Sequence, residues 1–76
     1  MEKTKGYQVD TLKLRITMAE KDLRIKDLAR IAGVSVPTVN KARNGKSIRE
    51  SNIVKIAKAL NIDPLELVRK EIENEQ

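Results

Sequence analysis

The sequence contains no Cys, His, Trp or Phe, and Tyr7 is its only aromatic residue. Each absence removes a class of function. Without Cys there is no disulfide staple, and without Cys or His the usual zinc site cannot be built. General acid–base work would fall to carboxylates, Lys or Tyr7 alone, and composition leaves open only a metal held by carboxylates. A single Tyr makes a poor stacking platform for RNA or single strands. No apolar run approaches the roughly 18 residues of a transmembrane helix. Met1–Tyr7 is polar and has no apolar signal-peptide segment. The expectation is a soluble, cytoplasmic protein. Its 76 residues suit one domain, and a chain of that size buries only about 60% of its unfolded surface.

What is present in excess is positive charge. Lys and Arg number 16 against 11 Asp and Glu, a net charge of +5. The excess is uneven. Residues 1–49 hold twelve bases against five acids, and residues 50–76 hold four against six. From residue 34 to 49 the charged residues are Lys41, Arg43, Lys46 and Arg49, with no acid. A charge run is commonly a solvated face, but an acid-free one beside a helix suits a polyanion, nucleic acid before membrane.

The pattern reads as all-α. A flexible polar arm is expected over residues 1–8, a folded domain over 9–73 and a frayed acidic tail over 74–76. The first helix, Val9–Lys21, carries two apolar stripes. Leu14 and Met18 lie on one side; Val9, Leu12, Ile16 and Ala19 lie on the other. One stripe is needed for the core, and the other is either extra core or a contact surface. The second helix, Ile25–Ala32, places Leu28, Ala29 and Ala32 on one face, and Gly33 follows as a residue able to take positive φ. The third, Val36–Arg43, has Ser35 as N-cap and Pro37 in its first turn. Val39 and Ala42 point inward, while Pro37, Asn40, Lys41 and Asn44 share the outward face. Lys46–Ile48 reads as a connecting loop. The fourth helix, Arg49–Leu60, gathers Ile53, Ile56, Ala57 and Leu60. Asp63-Pro64-Leu65-Glu66 reads as N-cap, first-turn proline and capping box for a fifth helix, Pro64–Glu73.

The stretch Leu23–Gly45 sets two short helices across the tight turn Ala32-Gly33-Val34-Ser35, with small Ala29 at the crossing and Val39 packing back. That is a helix-turn-helix pattern. Together, Leu28-Ala29, Ala32-Gly33-Val34-Ser35, Val39, Asn44-Gly45 and Ile56-Ala57-Lys58-Ala59-Leu60 resemble the phage repressor and Cro-like (lambda-repressor-like) helix-turn-helix family over about Leu12–Val68.

The resemblance implies a compact five-helix domain whose third helix enters the DNA major groove. It places the base-contacting positions on Ser35, Val36, Pro37, Asn40 and Lys41, with Thr38 flanking them. Lys41 can donate to guanine, Asn40 can pair with adenine, and Val36 and Pro37 offer either apolar base contact or helix packing. Phosphate-contacting positions fall on Arg24, Ile25, Asn44, Lys46 and Arg49. Ile25 departs from the polar residue of many relatives, so its contact is absent or uses only the backbone N–H. Many relatives also pair an Arg of the first helix with a Glu late in the third. Met18 and Arg43 stand there, which leaves Arg43 to reach phosphate or to form a local salt bridge.

Family members bind as dimers to paired half-sites. Two surfaces qualify, Leu65 with Ile72 and Leu12 with Ile16, the fifth helix being preferred. The resulting expectation is a sequence-specific double-stranded DNA binder, bacterial or phage-encoded, acting as a repressor and homodimer. A different class, a protein-interaction module such as an antitoxin, remains the alternative. No enzyme activity, metal, cofactor, membrane or small-molecule ligand is expected.

Overall fold

The computed structural model describes residues 6–69. Five helices appear in the expected order: α1 (Thr11–Glu20), α2 (Ile25–Ala32), α3 (Val36–Arg43), α4 (Glu50–Leu60) and α5 (Pro64–Leu67). A two-residue strand β1 (Gly6–Tyr7) pairs antiparallel with β2 (Ile48–Arg49), Gly6 opposite Arg49 and Tyr7 opposite Ile48. The sheet is the departure from an all-α reading, and it replaces the end of the loop expected over Lys46–Ile48. Of the arm expected over residues 1–8, the first five lie outside the described residues; Gly6 and Tyr7 are paired.

Caps set the helix limits. The Asp10 carboxylate accepts the Lys13 N–H at 3.1 Å and starts α1 two residues later than expected. Val9 is drawn instead into an antiparallel bridge with Val68, and it is buried. That bridge also shortens α5. Asp63 caps its start by accepting the Leu65 N–H at 3.0 Å. Val68 is then extended, and Arg69 donates its N–H to the Gln8 carbonyl at 2.8 Å. The expected helix to Glu73 is therefore one turn long within the described residues. Glu66 also leaves the expected capping box: its carboxylate sits 3.5 Å from Lys13 Nζ.

The core is aliphatic. Leu14 and Met18 of α1, Leu28 and Ala29 of α2, and Val39 and Ala42 of α3 are buried against Ile53, Ile56, Ala57 and Leu60 of α4. Val9 from the bridge to Val68, Ile48 from β2 and Leu67 from α5 close it. The double stripe of α1 is resolved in favour of Leu14, Thr17 and Met18, leaving Leu12 and Ile16 exposed.

Candidate nucleic-acid interface

The helix pair α2–α3 is held by its turn. Gly33 sits at φ 74°, ψ 32°, in the left-handed region that glycine enters at little cost. There its N–H and that of Val34 both reach the Ala29 carbonyl, at 2.9 and 3.0 Å. This closure ends α2 and swings the chain into α3, while half-buried Val34 packs on the core. The Ser35 hydroxyl accepts the Thr38 N–H at 3.2 Å and lies 2.8 Å from the Thr38 hydroxyl. The start of α3 is thereby fixed by its own side chains.

Val39 and Ala42, fully buried, pin α3 to the body. Ser35, Val36, Pro37, Asn40, Lys41 and Asn44 are exposed, and Thr38 is half-buried. The residues assigned to base edges therefore lie along one open face of a helix about 12 Å long at 1.5 Å per residue, with no carboxylate among them.

The cations assigned to phosphate fall on both flanks of that face. Arg24, exposed, is the N-cap of α2. Asp27 accepts its backbone N–H at 3.0 Å. That hydrogen bond is the main reason the Asp27 carboxyl lies below its ordinary range; burial opposes it, and the hydrogen bond and charge of Arg30, then the charge of Arg24, add to it. Ile25 is half-buried against the core, so its side chain is committed inward. On the other flank, Asn44 and Lys46 are exposed beyond the end of α3, and exposed Arg49 caps α4. Thr38, Lys41 and Arg49 share a cleft of about 330 Å³ with Ser47 and Asn52. Ser47 and Asn52 are not among the interface residues expected from the sequence. Asn52, three residues after Arg49, lies one helical turn away, a spacing that could have flagged it.

Met18 is buried in the core, and Arg43 is half-buried with no ion-pair partner among the described residues. Of the contact-surface candidates, Leu65 is 74% exposed, Leu12 66% and Ile16 51%; Ile72 lies outside the described residues. No group of three metal-binding side chains occurs among the described residues. None of their helices is long and apolar enough to cross a membrane.

A turn-locked helix pair that buries one side of its second helix and opens the other, acid-free side defines a helix-turn-helix DNA-binding domain. The chain belongs to the Cro/C1-type HTH DNA-binding domain family, which it matches over residues 13–71. Its fold resembles that of the restriction-modification controller protein C.AhdI from Aeromonas hydrophila. The TM-score is 0.68 at 32% identity, over 74% of this chain and 86% of that one. The transcriptional regulator VanUg is similar over 91% of this chain and 92% of its own, with a TM-score of 0.68 and 22% identity. A hydroxyethylphosphonate dioxygenase mutant also matches, with a TM-score of 0.75 and 19% identity over 88% of this chain. The chain spans only 15% of that enzyme's length, and a likeness at that identity is one of fold alone. No curated protein sequence matches the chain.

Proposed function

We propose that this DNA-binding domain is a sequence-specific transcriptional regulator of a bacterial or phage genome, acting in the cytoplasm by placing α3 in the major groove of an operator. The observation that carries the reading is the open face of α3. Ser35, Val36, Pro37, Asn40 and Lys41 lie exposed on a helix fixed by Val39 and Ala42, with basic residues on both sides. A groove about 12 Å wide admits one helix. Lys41 then donates to guanine O6 and N7, Asn40 pairs with adenine, and Val36 and Pro37 meet thymine methyls. Arg24, the Ile25 N–H, Asn44, Lys46 and Arg49 hold backbone phosphates and so fix register.

One such domain reads few base pairs, so two copies on adjacent half-sites supply specificity. Exposed Leu65 offers the preferred contact and Leu12 with Ile16 the other. A dimer seated on a promoter blocks polymerase with no further part, which favours repression. Selection of binding sites from random duplex DNA tests the reading, with a pseudo-palindrome expected. On that site Lys41→Ala should cost about 1–3 kcal/mol of discrimination and leave nonspecific affinity less affected. Lys46→Ala should weaken every duplex and flatten the salt slope by about one. Equal binding of the parent to any duplex refutes the specific reading.

A second reading is favoured by the exposed pair Leu12 and Ile16, one turn apart on α1. Such a pair suits a protein partner, as in an antitoxin. Co-purification of a partner that survives removal of DNA, and that is lost in Leu12→Lys, supports it.

A further inference from the structure

Three arginines from three helices line one cleft that contains no acid. Arg15 comes from the middle of α1, Arg24 from the cap of α2 and Arg43 from the last turn of α3. They rim a cleft of about 350 Å³ whose remaining lining is apolar, Met18, Leu23 and Ile25 among it. Arg15 and Arg43 also line a neighbouring cleft of about 950 Å³ that reaches Arg69. That second cleft also holds Lys13, Asp10 and Glu66, so the acid-free surface is the one from the start of α2 to the last turn of α3.

The Nε of Arg43 is buried and has no hydrogen-bond partner. None of the three guanidiniums has a carboxylate at ion-pair distance among the described residues. Asp27, in the first turn of α2, is engaged by the Arg24 N–H and by Arg30 at 3.4 Å. A desolvated N–H without an acceptor is costly, and neighbouring like charges add to that cost. One oxyanion relieves both. It draws the Arg43 guanidinium toward the cleft, where Nε–H gains an acceptor, and meets a second guanidinium in a charge-assisted bond beside Ile25, the first residue of α2.

We propose that Arg15, Arg24 and Arg43 form a phosphate oxyanion site, and that its occupant is a backbone phosphate of the bound duplex on the α1 side of the reading helix. Arg15 is new to the interface. It makes α1 part of the DNA-binding surface, where the base-reading and flanking residues use only α2, α3 and the segments after it. The duplex as occupant rests on the function proposed above; the oxyanion site does not.

The test therefore has two arms. Arg15 is exposed, so Arg15→Gln leaves the packing intact; Arg43→Gln, half-buried, is checked by its circular dichroism before use. In the first arm no DNA is present. Melting is compared in sodium phosphate and sodium chloride at equal, low ionic strength. The parent should melt higher in phosphate, Arg15→Gln should lose much of that gain, and the double variant should lose all of it. The same gain in all three proteins overturns the site. In the second arm, Arg15→Gln should weaken binding to every duplex and flatten the salt slope by about one, with the order of preferred sequences unchanged. An unchanged slope overturns the duplex as occupant. A parent that binds no duplex, yet loses its phosphate gain in Arg15→Gln, refutes the DNA reading and keeps a site for free phosphate.

Discussion

Gly33→Ala isolates the turn that orients the recognition helix. A Cβ built at Gly33 meets nothing within 4 Å, so no collision contributes. The whole cost is the left-handed backbone at φ +74°, roughly 1–2 kcal/mol for an L-residue. A domain of this length has about 4–11 kcal/mol of stability at roughly 0.05–0.15 kcal/mol per residue. The substitution should therefore lower Tm by about 4–16 °C, at about 4–8 °C per kcal/mol. Gly33→Asn should cost clearly less, because Asn tolerates this region. Asn61 already occupies it, at φ 61°, where it ends α4 in the same way. Urea unfolding measures the series: the midpoint should fall in the order Gly, Asn, Ala at constant m-value. Affinity of the folded fraction for duplex DNA should stay level, since the cost is local strain. A neutral Gly33→Ala, or an Asn variant as poor as Ala, refutes the reasoning.

Other consequences follow from single contacts. At Gly6 an added Cβ would lie 2.8 Å from the Ser47 Cβ. Gly6→Ala should therefore expose β1 and β2 to amide exchange while α2 and α3 stay protected, and adding Ser47→Gly should restore protection. On the dimer reading proposed above, Leu65→Lys should shift sedimentation from dimer to monomer while circular dichroism stays that of the folded chain, because Leu65 is 74% exposed; an unchanged dimer moves the contact to Leu12 and Ile16, and a monomeric parent refutes the dimer. The Asp27 carboxyl titrates below its ordinary 3.8 in the folded chain. Its stabilising contribution is present above that value and is lost as pH falls through the lower folded one. Asp27→Asn should flatten that part of the acid limb in urea midpoints, and an unaltered limb counts against the Arg24 hydrogen bond as its cause.

The parts of the fold visible in the sequence are those set by neighbours. Helices α2 and α3 begin and end where Gly33, Ser35 and Asn44 place them, and the buried face of α4 follows the 3.6-residue period. What stayed hidden depends on residues far apart. Two-residue strands carry no alternation, so nothing near Gly6 announces Arg49 as its partner. Val68 has the spacing of a helix residue, yet Val9 takes it into an extended bridge. Within the candidate interface, the outward wall of α3 was legible because inward and outward positions alternate along one helix. Arg15 was not, since one arginine on an exposed helix face looks like any solvated charge. Only the meeting of three helices sets it beside Arg24 and Arg43.

The pairing of the two chain segments around Gln8 and Arg69 bears on the cost of closing the chain. Gln8 and Arg69 are 61 residues apart, and the Arg69 guanidinium donates to the Gln8 side-chain oxygen at 2.9 Å. The turn of the helix pair closes over five residues, from Val34 to Ala29. Each doubling of a loop adds about 0.6 kcal/mol of closure entropy, so closing this latch costs more chain entropy than closing the helix pair. Gln8 also donates its side-chain amide to the Gly45 carbonyl at 2.9 Å, which ties the latch to the bend just after the recognition helix. Two side-chain hydrogen bonds of Gln8 thus couple the segment after α5 to the end of the reading helix.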